Sequence, residues 1–259
     1  MIWTSFGTYV LVLTRLSALF LVAPFFGAKS IPRSVRALLL ASMALLITVL
    51  HVRPSAITAG TLTELGILIA REAAVGMVLA VAMMICFSGL QLTGQVISHL
   101  GGISIADVFD PSTNASVPFV SQLLVLLATA VLLITGGHRQ VMRALLDLFD
   151  TMPPGQVRLP PDVLEGVVKL MGLSFETAVR AGAPVAAALL LSMIVLGLLG
   201  RTLPQLNILA VGLGLNAFVM LGGLFLTIGI VMWVFQRQEE AIMEWVAAWL
   251  RAGGVSLKR

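Results

Sequence analysis

The sequence predicts an all-α integral membrane protein with about six long hydrophobic helices. Of its 259 residues, 59% are hydrophobic and only 11% are charged, and the mean hydropathy is +1.04. A soluble domain usually carries about 25% charged residues. A soluble fold of this length would have to hide more apolar surface than its interior can hold, which argues against that class.

The first three helices are predicted from apolar runs, because about 20 helical residues cross the hydrocarbon core of a bilayer. The first run lacks the basic start of a secretory signal and is too long for one, so we expect a retained membrane helix. The breaker segments "GAKSIPRSVR" and "HVRPSAITAG" separate the three runs. In order they are Trp3–Phe26, Val35–Leu50 and Leu65–Ser88.

Three further runs follow, at Val117–Gly137, Ala178–Leu199 and Leu206–Phe235. A polar insert, 137–169, lies between the first two of them. Its segment "RQVMRALLDLF" predicts an interfacial amphipathic helix, because its apolar residues recur at helical spacing, namely Val141, Leu145, Leu148 and Phe149. We expect one membrane domain over residues 1–259, ending in a basic tail at 236–259.

Several charged residues lie within or beside the apolar runs. Arg15 is in the middle of the first run, where a bare arginine costs about 2.5–3.5 kcal/mol, so its side chain should not face lipid. Arg71 and Glu72 open the third run, and Glu176 and Arg180 have the spacing of a same-face helix pair. Two interpretations stay open: these charges lie at the membrane interface, or they line a polar path or bind partner subunits.

Small residues recur four apart in the helical runs. Gly76 precedes Ala80, Gly182 precedes Ala186, and Ala210 precedes Gly214. Small residues at this spacing allow helix backbones to approach closely in a membrane. The pattern is consistent with an internally packed bundle and with tight assembly against helices of other chains.

Residues for catalysis, metal binding or nucleic-acid binding are scarce, and we expect no catalytic, cofactor or metal site. Cys86 is the one cysteine, and the three histidines are isolated. Asp107 and Asp110 lie three apart, but Pro111 and the polar residues after it favour solvated carboxylates over an acid–base pair. The net charge of +4 comes from bases at the ends of apolar runs, which suits lipid headgroups better than nucleic acid.

The stretch "IADVFDPSTNASVP", Ile105–Pro118, interrupts the apolar pattern. Its prolines cannot continue either flanking helix, and irregular backbone at membrane depth survives only where protein or water surrounds it. The apolar residues Ile103, Ile105, Val108 and Phe109 suit a hydrophobic constriction, which blocks ions by dewetting. Gly101 and Gly102 would permit a hinge. A plain solvent-facing loop between two helices is the alternative.

Four segments together resemble one known family. They are "VAPFFGAKSIPRSVRALLLA", "REAAVGMVLAVAM", "GLQLTGQVISHLGGISIADVFDPSTNASVPFVSQLLVLLATAVLLITGGH" and "LLGRTLPQLNILAVGLGLN". In this order, from about Met1 to Arg251, they resemble the FliR family of flagellar type III export-gate proteins. His99 departs from the pattern, since an amide side chain is expected before the Gly-Gly.

The resemblance implies a non-enzymatic subunit of the export gate. Such proteins join FliP and FliQ, with FlhB nearby, in the bacterial inner membrane at the flagellar basal body. Their helices form tilted hairpins, contact the lipid bilayer and are wound into a helical, pore-lining complex. Much of that complex sits above the level of a plain bilayer span, and unfolded flagellar subunits pass through the pore. The related injectisome export-apparatus subunits share this architecture and are the first alternative.

The resemblance also implies a loop that plugs the pore, here residues 101–118. The expected gate residues are Gly101, Gly102, Ile105, Val108, Phe109, Asp110, Pro111, Asn114 and Pro118. The expected assembly residues are Arg15, Gly76, Gly182, Arg201, Pro204, Gln205, Asn207 and Gly214. Two other hypotheses are a secondary transporter or channel subunit for a small solute and an intramembrane enzyme that uses Asp107 and Asp110.

Overall fold

Helices make up nearly all of the chain that the structure describes, as the long apolar runs require, since a backbone in lipid must satisfy its own hydrogen bonds. The computed structural model describes residues 2–23, 32–50, 61–102, 118–157, 161–203, 205 and 207–255. Within these ranges the helices are α1 (Ile2–Val22), α2 (Arg33–Leu50), α3 (Leu62–Leu100), α4 (Phe119–Thr135), α5 (Gly137–Thr151), α6 (Val163–Thr202) and α7 (Ile208–Val255). The predicted all-α class is confirmed.

The count of membrane-spanning candidates is close to the predicted six. Within the described ranges, four helices are long and apolar enough to cross a membrane, namely α2, α3, α6 and most of α7. Taken as one span, α4 and α5 give a fifth. Helix α1 has 21 residues and is apolar over Phe6–Val22.

Three helices extend well past the apolar runs that predicted them. Helix α3 continues beyond Ser88 to Leu100, α6 begins at Val163 rather than Ala178, and α7 continues beyond Phe235 to Val255. The added turns carry polar or charged side chains but contain no proline, so hydropathy falls while the helix continues. Residues 236–255 of the predicted basic tail are therefore helical.

The amphipathic helix predicted inside the polar insert is confirmed. Helix α5 buries the apolar face read from the sequence, Val141, Leu145, Leu148 and Phe149. It starts directly after Gly136, whose φ of +81° lies in the left-handed region that favours glycine. Its opposite face exposes charged side chains, including Arg139, Arg143 and Asp147.

The described chain divides into two compact units. The first contains Met1–Ile85, Gly136–Met171 and Glu240–Arg259, and the second contains Cys86–Thr135 and Gly172–Glu239. In the first unit α1 lies beside α2, and the Tyr9 hydroxyl donates to the Ala41 carbonyl at 3.5 Å. In the second, the rings of Phe87 and Phe235 pack 5.6 Å apart. The expectation of one membrane domain over the whole chain stays a prediction.

Candidate functional site

A buried ion pair joins α1 to α3 in the first unit. The Arg15 Nε donates to Glu72 Oε2 at 2.7 Å, and Nη2 of the same arginine lies 2.6 Å from that oxygen. Both side chains are 0% exposed. The prediction that the Arg15 side chain does not face lipid is confirmed.

The same pair holds the end of α5 and the turn after it. Arg15 Nη1 donates to the carbonyls of Leu148 and Met152, at 3.2 and 3.1 Å, and Nη2 also donates to Met152 at 3.1 Å. The last carbonyls of a helix lack partners inside the helix and carry its negative dipole end, so a cation satisfies them well. The Gly155 amide donates to Glu72 Oε1 at 2.8 Å.

Two features shape this cluster of Arg15, Glu72 and the 148–155 backbone, which we call the buried charge cluster. The Arg15 guanidinium lies 4.6 Å from the centre of the Phe149 ring, a cation–π distance. Gly155 has a φ of +83°, which lets the chain turn so that its amide points at the carboxylate. Helices α1, α3 and α5 are therefore fixed together by charge as well as by apolar contact.

A glycine one turn beyond Glu72 allows α1 and α3 to touch. A Cβ at Gly76 would overlap the backbone carbonyl of Arg15 and would lie 3.0 Å from the Ala18 Cβ. Gly76 therefore makes a close helix contact inside the chain. The assembly roles expected for Gly76 and Arg15 stay predictions, and the contacts described for both residues are intramolecular.

The second unit contains a series of close contacts between α3 and its neighbours. A Cβ at Gly89 would lie 2.7 Å from the Ser174 carbonyl of α6. The Ser88 and Ser174 hydroxyls are 2.9 Å apart, and Thr93 donates to the Ala178 carbonyl at 3.1 Å. In a membrane, apolar side chains are as well covered by lipid as by another helix, so small and hydroxyl-bearing residues are the ones that hold helices together.

Helix α3 contacts α4 in the same way. A Cβ at Gly94 would overlap the backbone of Ser121, and the Ser121 hydroxyl donates to the Gln91 carbonyl at 2.8 Å. Gly89, Gly94 and Ser121 are not among the residues predicted from the sequence. A small residue every fourth or fifth position along α3 was the available signal, but its partners lie on other helices.

We expect Gly94→Ala to lower the free energy of unfolding by about 1–3 kcal/mol, because the added methyl group forces α3 away from α4. Gly222→Ala in the same unit is the matched control, since nothing lies within 4 Å of a Cβ there. Its stability should be unchanged or higher by about 0.5–1 kcal/mol. Denaturant unfolding of the purified chain in detergent measures both, and equal losses for the two variants would contradict the close contact at Gly94.

The α3–α4 contact lies next to the predicted gate loop. Helix α3 ends at Leu100, and Gly102 follows with a φ of +76°. A Cβ on the buried Gly101 would lie 2.9 Å from the Met220 sulfur of α7. Pro118 directly precedes α4. The loop residues Ile105, Val108, Phe109, Asp110, Pro111 and Asn114 lie outside the described residues, so the plug stays a prediction.

The remaining assembly candidates lie on α6, on α7 and in the segment between them. A Cβ at Gly182 would lie 3.4 Å from the Thr93 side chain, which places this glycine inside the unit. Gly214 is exposed, and nothing lies within 4 Å of a Cβ there. Arg201, Gln205 and Asn207 are exposed, and Pro204 lies outside the described residues. An assembly role for these residues stays a prediction.

Groups that could support catalysis are sparse in the described ranges. No set of three or more His, Cys, Asp or Glu side chains there could hold a metal ion. Cys86 is buried. Asp107 and Asp110, the pair considered for acid–base chemistry, lie outside the described residues.

Comparison with known proteins identifies the family. A family model described as bacterial export proteins, family 1, matches residues 6–242. The chain is 28% identical to the flagellar biosynthetic protein FliR of Bacillus subtilis over 97% of each chain. It is 28% identical to FliR of Escherichia coli, over 84% of this chain and 83% of the relative, and 26% identical to FliR of Caulobacter vibrioides, over 92% and 96%.

These matches confirm the resemblance drawn from the sequence motifs. They span both compact units and every helix described above. The chain belongs to the bacterial export proteins, family 1.

Proposed function

We propose that this chain is a non-enzymatic subunit of the flagellar type III export gate, which walls the pore and plugs it with residues 101–118. The full-length similarity to proteins named flagellar biosynthetic protein FliR carries the proposal. The expected partners are FliP and FliQ, with FlhB nearby, in the bacterial inner membrane at the flagellar basal body. Unfolded flagellar proteins are the expected cargo.

The surface of the chain supports a role in a larger assembly. Large apolar side chains are exposed along α2, α6 and α7, among them Leu38, Leu50, Leu191, Phe218, Phe225 and Leu226. Exposed apolar area on this scale needs lipid or other helices to cover it. Gly214, open on the surface of α7, suits the close approach of a neighbouring helix.

The α3–α4 contact supports the plug. The contact between Gly94 and Ser121 holds the two helices together a few residues before and after the loop. Because the helices on either side of the loop are held together, the loop can keep one position in a pore even if it makes few contacts within itself. The buried charge cluster has a similar effect on the first unit, because it fixes α1, α3 and α5 together.

Co-purification tests the assembly directly. The tagged chain is extracted in mild detergent, and the bound chains are identified and counted by mass spectrometry. We expect FliP and FliQ to be retained. Flux of a small solute through the chain alone in liposomes, with no bound partner, would contradict the proposal.

We expect Gly214→Leu to reduce the bound partner chains roughly 5- to 150-fold, which corresponds to an overpacking cost of about 1–3 kcal/mol at the contact. The stability of the isolated chain should be unchanged or higher by about 0.5–1 kcal/mol, because the position is open and a helical glycine is replaced. Gly66→Leu is the matched control, since it is another exposed helical glycine with nothing within 4 Å of a Cβ. Unchanged retention in Gly214→Leu would remove this face from the interface.

A further inference from the structure

A cavity of about 270 Å³ lies between α6 and α7 in the second unit. Its lining includes Glu176 and Arg180 of α6 and Trp233 and Arg237 of α7. The volume is below the roughly 300–1,000 Å³ of pockets for drug-sized ligands, so it suits a small polar group. None of these residues takes part in the buried charge cluster or in the predicted gate.

Two arginines reach this cavity from different helices. The Arg237 guanidinium lies 5.4 Å from the centre of the Trp233 ring, and this cation–π contact positions it at the cavity wall. Arg180 Nη2 pairs with Glu176 Oε1 at 2.5 Å. A guanidinium carries five N–H donors in a planar fork, so Arg180 can hold this carboxylate and a second oxyanion at once. Two cations and one carboxylate give the lining one net positive charge.

The cavity lies at one end of the longest apolar part of each helix. Residues 181–200 of α6 contain no charged side chain, and neither do residues 208–236 of α7. About 20 helical residues span the hydrocarbon core. The cavity therefore falls where a spanning helix leaves the hydrocarbon. Trp233, which is 56% exposed, is the residue type that anchors helices at this boundary.

We infer that this cavity binds a phosphate ester, supplied by the headgroup of an anionic phospholipid. Guanidinium groups bind phosphate oxygens through paired, charge-assisted hydrogen bonds. One net positive charge matches the single negative charge of a phosphodiester such as that of phosphatidylglycerol. Phe175, Val179 and Ile230 lie within three residues of lining residues along α6 and α7, and their exposed apolar side chains offer a surface for acyl chains. The inference needs only that α6 and α7 lie in a membrane and does not depend on the export role.

Native mass spectrometry of the full chain from detergent tests the inference. Phosphatidylglycerol and phosphatidylcholine are added in equal amounts, and the retained lipid is counted. We expect preferential retention of phosphatidylglycerol. Each of Arg180→Gln and Arg237→Gln should weaken its binding about fivefold, because an arginine near the membrane surface contributes about 1 kcal/mol to binding an anionic lipid. Arg251→Gln, an exposed arginine about four turns beyond Arg237 on α7, is the control and should have no effect.

Glu176→Gln separates binding from a merely structural role of the ion pair. It removes the carboxylate from the lining and should strengthen phosphatidylglycerol binding, whereas loss of a structural pair would weaken it. Millimolar glycerol phosphate is the competitor. Displacement that is lost in Arg180→Gln shows that the headgroup phosphate occupies the cavity. Displacement at micromolar glycerol phosphate would instead make a soluble ester the ligand and would contradict the lipid as its source.

Three results would overturn the inference. The first is equal retention of the two lipids. The second is an equal loss of phosphatidylglycerol in the Arg251→Gln control. The third is unchanged lipid binding with loss of a co-purifying protein from Arg180→Gln or Arg237→Gln, which would assign the cavity to a carboxylate of a neighbouring chain. Since lipid retention and partner retention are separate readouts, this test and that of the export role fail independently.

Discussion

Replacing Arg15 with methionine is expected to destabilise the chain by about 3–5 kcal/mol, because the change leaves the Glu72 carboxylate buried without its cation. It also removes the donors to the Leu148 and Met152 carbonyls at the end of α5. The loss should appear as a large shift of the denaturant or thermal midpoint of the purified chain in detergent.

A double variant tests whether the stability lost in Arg15→Met comes from the unpaired charge on Glu72 or from the altered packing. In Arg15→Met combined with Glu72→Met, no unpaired charge remains, so most of the lost stability should return. The Gly155 amide would still lack its acceptor, so recovery should be incomplete. The matched control is the exposed Glu165–Lys169 pair on α6, which is also an ion pair but has both side chains in solvent. Neutralising both members of that pair should have no measurable effect, since exposed pairs contribute little.

The buried charge cluster would be refuted by two results. One is a stable Arg15→Met variant. The other is a double variant that is less stable than either single variant, which would show that the two side chains act independently.

Deleting Ile105–Asn114 is expected to make membranes leaky to small ions while the chain still assembles with its partners. The deletion removes the apolar residues expected to form the constriction, and permeability should rise roughly tenfold or more, because a hydrophobic constriction blocks ions by excluding water. Assembly should persist, since the Gly94–Ser121 contact and the Ser121 hydrogen bond lie outside the deleted segment. Ion leak is measured in cells with a conductance or ion-sensitive dye assay.

A loop of unchanged length gives the control for this deletion. Replacing Ile105, Val108 and Phe109 together with serine keeps the length and removes the apolar side chains. If the constriction is hydrophobic, this variant should leak like the deletion. If the deletion leaves ion permeability unchanged, the plug hypothesis is wrong. If the deletion variant leaks ions but the serine variant does not, the bulk of the loop and not its apolar side chains blocks the ions.

Where the sequence predicted the fold well, a local pattern carried enough information. The spacing of Val141, Leu145, Leu148 and Phe149 fixed both the helical state and the buried face of α5. The predicted ends of α6 and α7 were wrong because they were placed where hydropathy falls, and a fall in hydropathy does not by itself end a helix. Hydropathy falls in the charged turns around Glu165 and Glu240, but no proline interrupts the helical hydrogen bonds there, so α6 and α7 continue.

The candidate site was less predictable because its contacts join distant parts of the chain. The cost of placing Arg15 in an apolar run indicated that it needed a partner. Glu72 and Glu176 were both available, and only the tertiary arrangement selects Glu72. Similarly, the four-residue spacing at Gly76 indicated a close helix contact but could not show that α1 of the same chain makes it.

The central claim, that residues 101–118 lie in the conduit for exported proteins, is tested most directly by site-specific cross-linking. A photoreactive amino acid at Phe109 is activated while a flagellar export substrate with a stably folded end is stalled in the apparatus. Leu126, exposed on α4, is the control position. The account predicts an adduct between substrate and chain at position 109 and none at 126. Adducts at neither position while substrate is stalled, or only at 126, would place the loop outside the conduit.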